Sequence, residues 1–140
     1  MSSVLPADSG PRVVGIDLGT TNSLVACLES AGTLPRVIPG GPEAIVPSVV
    51  SLSPSGELLA GNAARDLLLT SPERSAYSVK RLMGKGLPDL GGDLALFPFR
   101  IAEDSGQVIR VRLGDRTFTP PELSAAILRG LKQNAEAYLG

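Results

Sequence analysis

Two short apolar runs separated by a polar turn open the patterned part of the chain. The first run, Arg12 to Asp17, is rich in valine and isoleucine and predicts a buried β-strand. The second run, Ser23 to Leu28, predicts another strand, and Leu18 to Asn22 supply turn-forming glycine and asparagine. The pattern therefore predicts an antiparallel hairpin.

Strand-like segments continue after the hairpin, but proline and glycine interrupt them. Arg36 to Ile38 predict a short strand. Residues 44–53, AIVPSVVSLS, are rich in β-formers, and Pro47 predicts an edge strand or a strand start because proline has no N–H to donate. Asn62 is expected to cap a helix that continues to about Leu69.

The middle of the chain has weaker periodicity. Residues 73–86, ERSAYSVKRLMGKG, predict irregular structure or a short helix, and residues 87–93, LPDLGGD, predict a loop. After this loop apolar and polar residues alternate with a period of two, which predicts a strand with one buried face. Gly114-Asp115 then predicts a two-residue hairpin turn. The apolar face of this strand comprises Ile109, Val111 and Leu113, and the polar face comprises Arg110 and Arg112.

The C-terminal segment has the clearest helical pattern. Thr119 is expected to cap it, and Glu122 lies near the positive end of the helix dipole. Because the apolar stripe needs a surface to cover, we expect the helix to pack on the first strands, which gives a mixed α/β fold class. The stripe consists of Leu123, Ile127, Leu131 and Tyr138.

Composition indicates a folded domain and excludes several functions. Of the 140 residues, 43% are hydrophobic and 19% are charged, which is typical of a globular protein. A formal net charge of -1 and 4% aromatic residues give no case for a nucleic acid or an anionic membrane as a partner. Because the chain has no histidine, its own residues cannot form Ser-His or Cys-His catalytic pairs.

The single cysteine and the N-terminal residues indicate the cellular compartment of the protein. Cys27 lies in an apolar run and is expected to be a buried core residue, and one cysteine fits a reducing compartment. Residues 1–11 lack the basic and apolar regions of a signal peptide and predict a disordered tail. We therefore expect a cytoplasmic protein.

The hairpin turn contains residue types that suit phosphate. Gly19 lets a ligand approach the backbone closely, and successive N–H groups in such a turn form an anion-binding concavity. Asp17 would repel a bare phosphate but suits a phosphate that carries Mg²⁺. The segment is not a Walker P-loop, because a strand follows it where that motif requires a helix. Composition alone leaves open whether this is a metal–nucleotide site or an ordinary hairpin.

Several segments resemble the 70-kDa heat-shock chaperones, the DnaK family, in the same order along the chain. VVGIDLGTTNSLVA is similar to the family's first phosphate-binding segment, and SVKRLMGKGLPD is similar to its lysine-bearing segment. IVPSVVSLSPSGELLAGNAAR resembles the next strands and helix, and the last 44 residues, from FPFR onward, resemble the following hairpin and long helix. NSLVA and SVKRLMG are also similar to the HscA branch.

The resemblance implies a fold and a division of the chain. The fold is the actin and hexokinase-like, or ribonuclease H-like, ATPase fold, here represented by part of its first sheet lobe and its upper α+β subdomain. Residues 12–46 would form the first-lobe sheet with the phosphate-binding hairpin, 47–120 the upper subdomain, and 121–140 a helix packed on the first-lobe sheet. The chain is accordingly expected to be the N-terminal part of an ATPase domain.

The resemblance also implies roles for particular residues. Asp17 would organise Mg²⁺ through water, and Lys80 would reach the γ-phosphate of ATP and the attacking water. The Thr20 hydroxyl would lie near the γ-phosphate, and Arg81 would lie beside the nucleotide. The cofactors would be ATP or ADP with Mg²⁺, bound also by the backbone of Gly19, Thr20, Thr21 and Asn22.

The implied parent protein is a stress-response chaperone that couples ATP hydrolysis to binding and release of unfolded peptides. Its partners would be a J-domain protein, a nucleotide-exchange factor and unfolded clients. The 140-residue chain alone is expected to be inactive and to self-associate through apolar surface. Two other hypotheses stay open: a sugar or acetate kinase of the same fold, and a non-catalytic protein-interaction module.

Overall fold

The predicted N-terminal hairpin is present in the computed structural model, which describes residues 12–140. Strand β1, Val14–Leu18, pairs antiparallel with β2, Asn22–Cys27, and Asp17 lies opposite Leu24. The connecting turn, Gly19–Thr21, is shorter than the predicted one because both strands extend into it. Cys27 is buried as predicted.

Two further strands extend the first sheet along β2. Strand β3, Arg36–Val37, pairs with one end of β2, and β4, Val46–Pro47, pairs with the other. Pro47 is thus in a two-residue strand, where a missing N–H costs little. Beside β3, the Glu29 carboxylate accepts a 2.8 Å hydrogen bond from Arg36, which raises the pKa of that guanidinium.

The second sheet contains a strand that the sequence pattern did not predict. Its central strand is β5, Val49–Leu52, which pairs with β6, Leu58–Ala60, and with β7, Ser75–Tyr77. The prediction of irregular structure or a short helix for 73–86 is wrong at β7, because pairing with β5 buries Ser75 and Ala76. Short 3₁₀ turns lie on either side, at Pro72–Arg74 and Val79–Leu82.

The first helix, α1, spans Asn62–Thr70, but its cap differs from the prediction. Gly61 is the N-cap residue and has a φ of 74°, which favours glycine. Asn62 already belongs to the helix, and its side-chain amide donates to the Gly40 carbonyl at 3.3 Å. The predicted cap at Asn62 is therefore wrong by one residue.

The segment predicted as a loop at 87–93 contains helical turns. Helix α2 spans Leu87–Leu90 and is followed by a 3₁₀ helix at Gly91–Leu96. The loop prediction is wrong here because the Asp89 carboxylate accepts a 2.7 Å hydrogen bond from the N–H of Gly86, which stabilises the first turn of α2.

The third sheet confirms the alternation predicted for 109–113, but the start predicted just after 93 is wrong, because residues up to Leu96 lie in the 3₁₀ helix Gly91–Leu96. The sheet consists of β8, Arg100–Ile101, β9, Val111–Leu113, and β10, Arg116–Phe118. Strands β9 and β10 are joined by the two-residue turn Gly114-Asp115. The three predicted inward residues are buried and the two arginines are exposed.

The long helix α3, Pro120–Leu139, contacts β1 and β2 on one side and the 3₁₀ turn Val79–Leu82 on another. Its apolar stripe is buried at Leu123, Ile127 and Leu131. In the described part of the chain no helix other than α3 reaches the length of a bilayer span, and α3 is too polar to be one.

The predicted division of the chain stays a prediction. The boundary between 12–46 and 47–120 falls inside β4, and α3 begins at Pro120, next to the third predicted segment. The predicted tail at residues 1–11 lies outside the described residues.

The cap of α3 gives a test of this fold. Thr119 accepts a hydrogen bond from the N–H of Glu122, and the Glu122 carboxylate accepts one from the N–H of Thr119 at 2.7 Å. We expect Thr119→Ala to lower the free energy of unfolding by about 1 kcal/mol, measured by urea denaturation. The control is Thr117→Ala, an exposed residue of β10, with an expected change within about 0.5 kcal/mol. Equal losses in the two variants would contradict the role of this cap.

Candidate functional site

A shallow cleft brings together the hairpin turn and the lysine-bearing segment, which are some sixty residues apart in the sequence. The volume of the cleft is about 200 Å³ when the solvent-filled region at its opening is included. The 3₁₀ turn supplies Lys80, and α3 supplies Ser124 and Ile127. The remaining lining residues are Leu18, Gly19, Thr20, Ser48 and Val79.

The turn Gly19–Thr21 presents main-chain donors. A Cβ on Gly19 would collide with the main-chain oxygen of Asn22, so the turn closes in this shape only with glycine. Within residues 12–140, the N–H groups of Gly19, Thr20 and Thr21 donate to no protein acceptor. Because a main-chain N–H requires an acceptor, these three groups are available to water or to an anionic ligand.

A buried serine fixes this turn from behind. The N–H of Ser48 donates to the Thr21 carbonyl at 2.9 Å, and its hydroxyl donates to the Gly19 carbonyl at 2.9 Å. Ser23 lies behind it, with 2.7 Å between the two hydroxyl oxygens. Sequence reasoning missed both serines. The available signal was a serine in the apolar segment 44–53, where a buried hydroxyl needs a partner.

Lys80 projects from a well-anchored turn. Val79 and Leu82 on either side of it are buried, whereas Lys80 is exposed beside the cleft. The turn begins at Ser78, which has a φ of 57°, a left-handed conformation that costs free energy for a residue other than glycine. None of the ion pairs found among residues 12–140 involves Lys80. Its charge is therefore free to attract an anion in the cleft.

The other predicted site residues lie outside the cleft lining. Asp17 is exposed on β1, one residue before Leu18, which does line the cleft. Thr21, Asn22 and Arg81 are exposed as well. The arrangement unites Gly19, Thr20 and Lys80, and the roles assigned to all of these residues stay predictions.

The donor set around Asp17 limits the kind of metal it could hold. Within residues 12–140 there is no group of three or more aspartate, glutamate, cysteine or histidine side chains placed to ligate an ion. A single carboxylate suits Mg²⁺, which commonly takes one or two carboxylates and completes its shell with phosphate oxygens and water. Asp17 thus fits Mg²⁺ that arrives with a phosphate ligand.

Comparison with known protein families decides the identity of the fold. The family model described as Hsp70 protein matches residues 13–140. The chain belongs to the Hsp70 family. Its mixed α/β architecture with antiparallel sheets accordingly represents part of the actin-like ATPase fold of Hsp70 proteins. In this Hsp70 chain, the cleft lies between the segment GIDLGTTNS and the segment SVKRLMG.

Substitution of Gly19 tests the geometry of the turn. In Gly19→Ala the new methyl group must displace the Asn22 carbonyl, and we expect a loss of about 1–3 kcal/mol in the free energy of unfolding. Gly15→Ala in β1 is the matched control, because a Cβ there meets nothing within 4 Å. Urea denaturation of both variants measures the difference. A Gly19→Ala protein as stable as Gly15→Ala would show that the turn is not constrained in this way.

Proposed function

We propose that this chain supplies the phosphate-binding part of the ATP site of an Hsp70 chaperone. The observation that carries the proposal is the cleft in which Lys80 lies beside Gly19 and Thr20, whose main-chain N–H groups have no acceptor within residues 12–140. A cation and unpaired amides that line one small volume suit an anion, and Hsp70 membership makes the triphosphate of ATP the expected anion.

The proposed mechanism uses position and charge more than covalent chemistry. The turn N–H groups would bind phosphate oxygens, and the Thr20 hydroxyl would lie near the γ-phosphate. Lys80 would reach the same phosphate and the attacking water, and would stabilise charge that develops on the phosphate oxygens. Bound Mg²⁺ would supply further charge neutralisation, with Asp17 holding its water shell. Thr21 and Asn22 would add main-chain contacts, and Arg81 would lie beside the nucleotide.

The size of the cleft predicts weak binding by the 140-residue chain. The enclosed part of the cleft is only about 10 Å³, which is room for roughly one water molecule, whereas usual ligand pockets have roughly 300 Å³ or more, so these residues alone do not enclose a nucleotide. Fewer contacts must still offset the lost translational and rotational freedom of the ligand. We therefore propose that hydrolysis at this site needs nucleotide contacts from outside residues 12–140.

The finer assignments are also proposals. The parent activity would be ATP hydrolysis coupled to binding and release of unfolded peptides, with a J-domain protein and a nucleotide-exchange factor as partners, in the cytoplasm. The segments NSLVA and SVKRLMG favour the HscA branch. The family match does not favour a sugar or acetate kinase. The titration described next tests the alternative of a non-catalytic protein-interaction module.

Calorimetric titration of Mg·ATP into the 140-residue chain tests the proposal. We expect a dissociation constant weaker than about 100 µM, and a further loss of about fivefold in Lys80→Ala, equivalent to roughly 1 kcal/mol for an exposed charge. Lys85→Ala is the control, because Lys85 is equally exposed but lies outside the cleft.

Three results would contradict the proposal. A micromolar affinity for the wild-type chain would show that the phosphate contacts are only part of its nucleotide site. Equal affinities for Lys80→Ala and Lys85→Ala would remove Lys80 from the site, and absence of any binding would favour the non-catalytic module.

A further inference from the structure

Ser48 contacts the hairpin turn at two points. Its main-chain N–H binds the Thr21 carbonyl and its hydroxyl binds the Gly19 carbonyl, both at 2.9 Å. These two carbonyls lie at the two ends of the three-residue turn. A single residue of the chain therefore fixes the turn at both ends, from a position between β4 and β5.

The direction of the hydrogen bonds between the serines follows from counting protons. A carbonyl oxygen only accepts, so the one hydroxyl proton of Ser48 is committed to Gly19. The 2.7 Å contact between Ser23 and Ser48 must then use the hydroxyl proton of Ser23. The order of donation is Ser23 to Ser48 to the Gly19 carbonyl, and each hydroxyl has a defined orientation.

This chain of hydrogen bonds orients a main-chain donor in the cleft. In a planar trans peptide the C=O and the following N–H point in opposite directions. Because the Gly19 carbonyl points towards Ser48, the N–H of Thr20 must point away from it. Ser23 and Ser48 are 1% and 3% exposed, so water does not compete with these hydrogen bonds.

We propose that Ser48, oriented by Ser23, is the positioning residue that holds the Thr20 amide in the direction needed to bind phosphate. The inference rests on the proposed function, since the direction of this amide matters only if it binds an anion. The anchoring itself exists without nucleotide and is measurable without it. An experiment can therefore distinguish loss of the hydrogen bonds between Ser48 and the turn from loss of nucleotide binding.

Ser51 provides a matched control in the neighbouring strand β5. It is also fully buried, its hydroxyl donates to the Ala64 carbonyl at 2.8 Å, and it lies 2.7 Å from the Ser75 hydroxyl. The Ser51 hydroxyl thus makes two hydrogen bonds of nearly the same lengths as those of the Ser48 hydroxyl, but they reach α1 and β7 instead of the turn. Ser51→Ala should cost comparable stability and leave the turn unchanged.

Backbone NMR relaxation of the nucleotide-free 140-residue chain is the primary test. We expect order parameters for residues 19–21 to fall from about 0.85 to below about 0.6 in Ser48→Ala. They should remain at the wild-type value in Ser51→Ala. Ser23→Ala, which keeps the hydroxyl of Ser48 but removes its donor, should give an intermediate value and serves if Ser48→Ala does not fold.

Titration of the same proteins with Mg·ATP, followed by amide shifts, completes the test. We expect at least threefold weaker binding by Ser48→Ala and wild-type binding by Ser51→Ala. Unchanged order at residues 19–21 in both Ser48→Ala and Ser23→Ala, or an equal loss in Ser51→Ala, would overturn the positioning role. A wild-type chain that binds no Mg·ATP would overturn the proposed function. Lower order parameters at residues 19–21 in the Ser48→Ala and Ser23→Ala variants would still show that these serines hold the turn.

Discussion

Main-chain N–H groups without protein acceptors, at the turn Gly19–Thr21, are the feature on which the account depends. Gly19 and Thr20 are half-buried and Thr21 is exposed, so water can accept hydrogen bonds from these groups until a ligand replaces it. The turn lies at a cleft beside Lys80, which forms no ion pair with any residue of the described range 12–140. Under the proposed function, an anion in the cleft would accept hydrogen bonds from Gly19 and Thr20 and would offset the charge of Lys80. Because the site would offer both N–H donors and a positive charge, the proposal favours phosphate over an uncharged ligand.

Helix α3 keeps the two sides of the cleft at a fixed separation. It packs on β1 and β2, which carry the turn, and on the 3₁₀ turn that carries Lys80. Leu123 and Leu131 are fully buried, while Ser124 and Ile127 face the cleft itself. The core and the site thus share one helix, so the capping of α3 and the packing of its apolar stripe bear directly on the site.

Elements whose signals are local were predictable from the sequence. The first hairpin, the turn Gly114-Asp115 and the capped helix α3 each depend on residues within a few positions of one another. The burial of Ser48 had a local signal, but strand β7 and the partners of Ser48 were not predictable, because both depend on pairing between segments about 25 residues apart. The composition of the turn was compatible with a phosphate site but left an ordinary hairpin open, and the phosphate role stays a proposal. Lys80 was assigned only through the family resemblance, since one exposed lysine among several has no distinctive local signal.

The most direct measurement of the central claim is an amide-shift map of the isotope-labelled 140-residue chain during titration with Mg·ATP, with adenosine as the comparison ligand. We expect the largest shifts at residues 19–22 and 79–81 with Mg·ATP, and no shifts at these residues with adenosine. Shifts concentrated elsewhere, with the turn Gly19–Thr21 unaffected by the triphosphate, would contradict it.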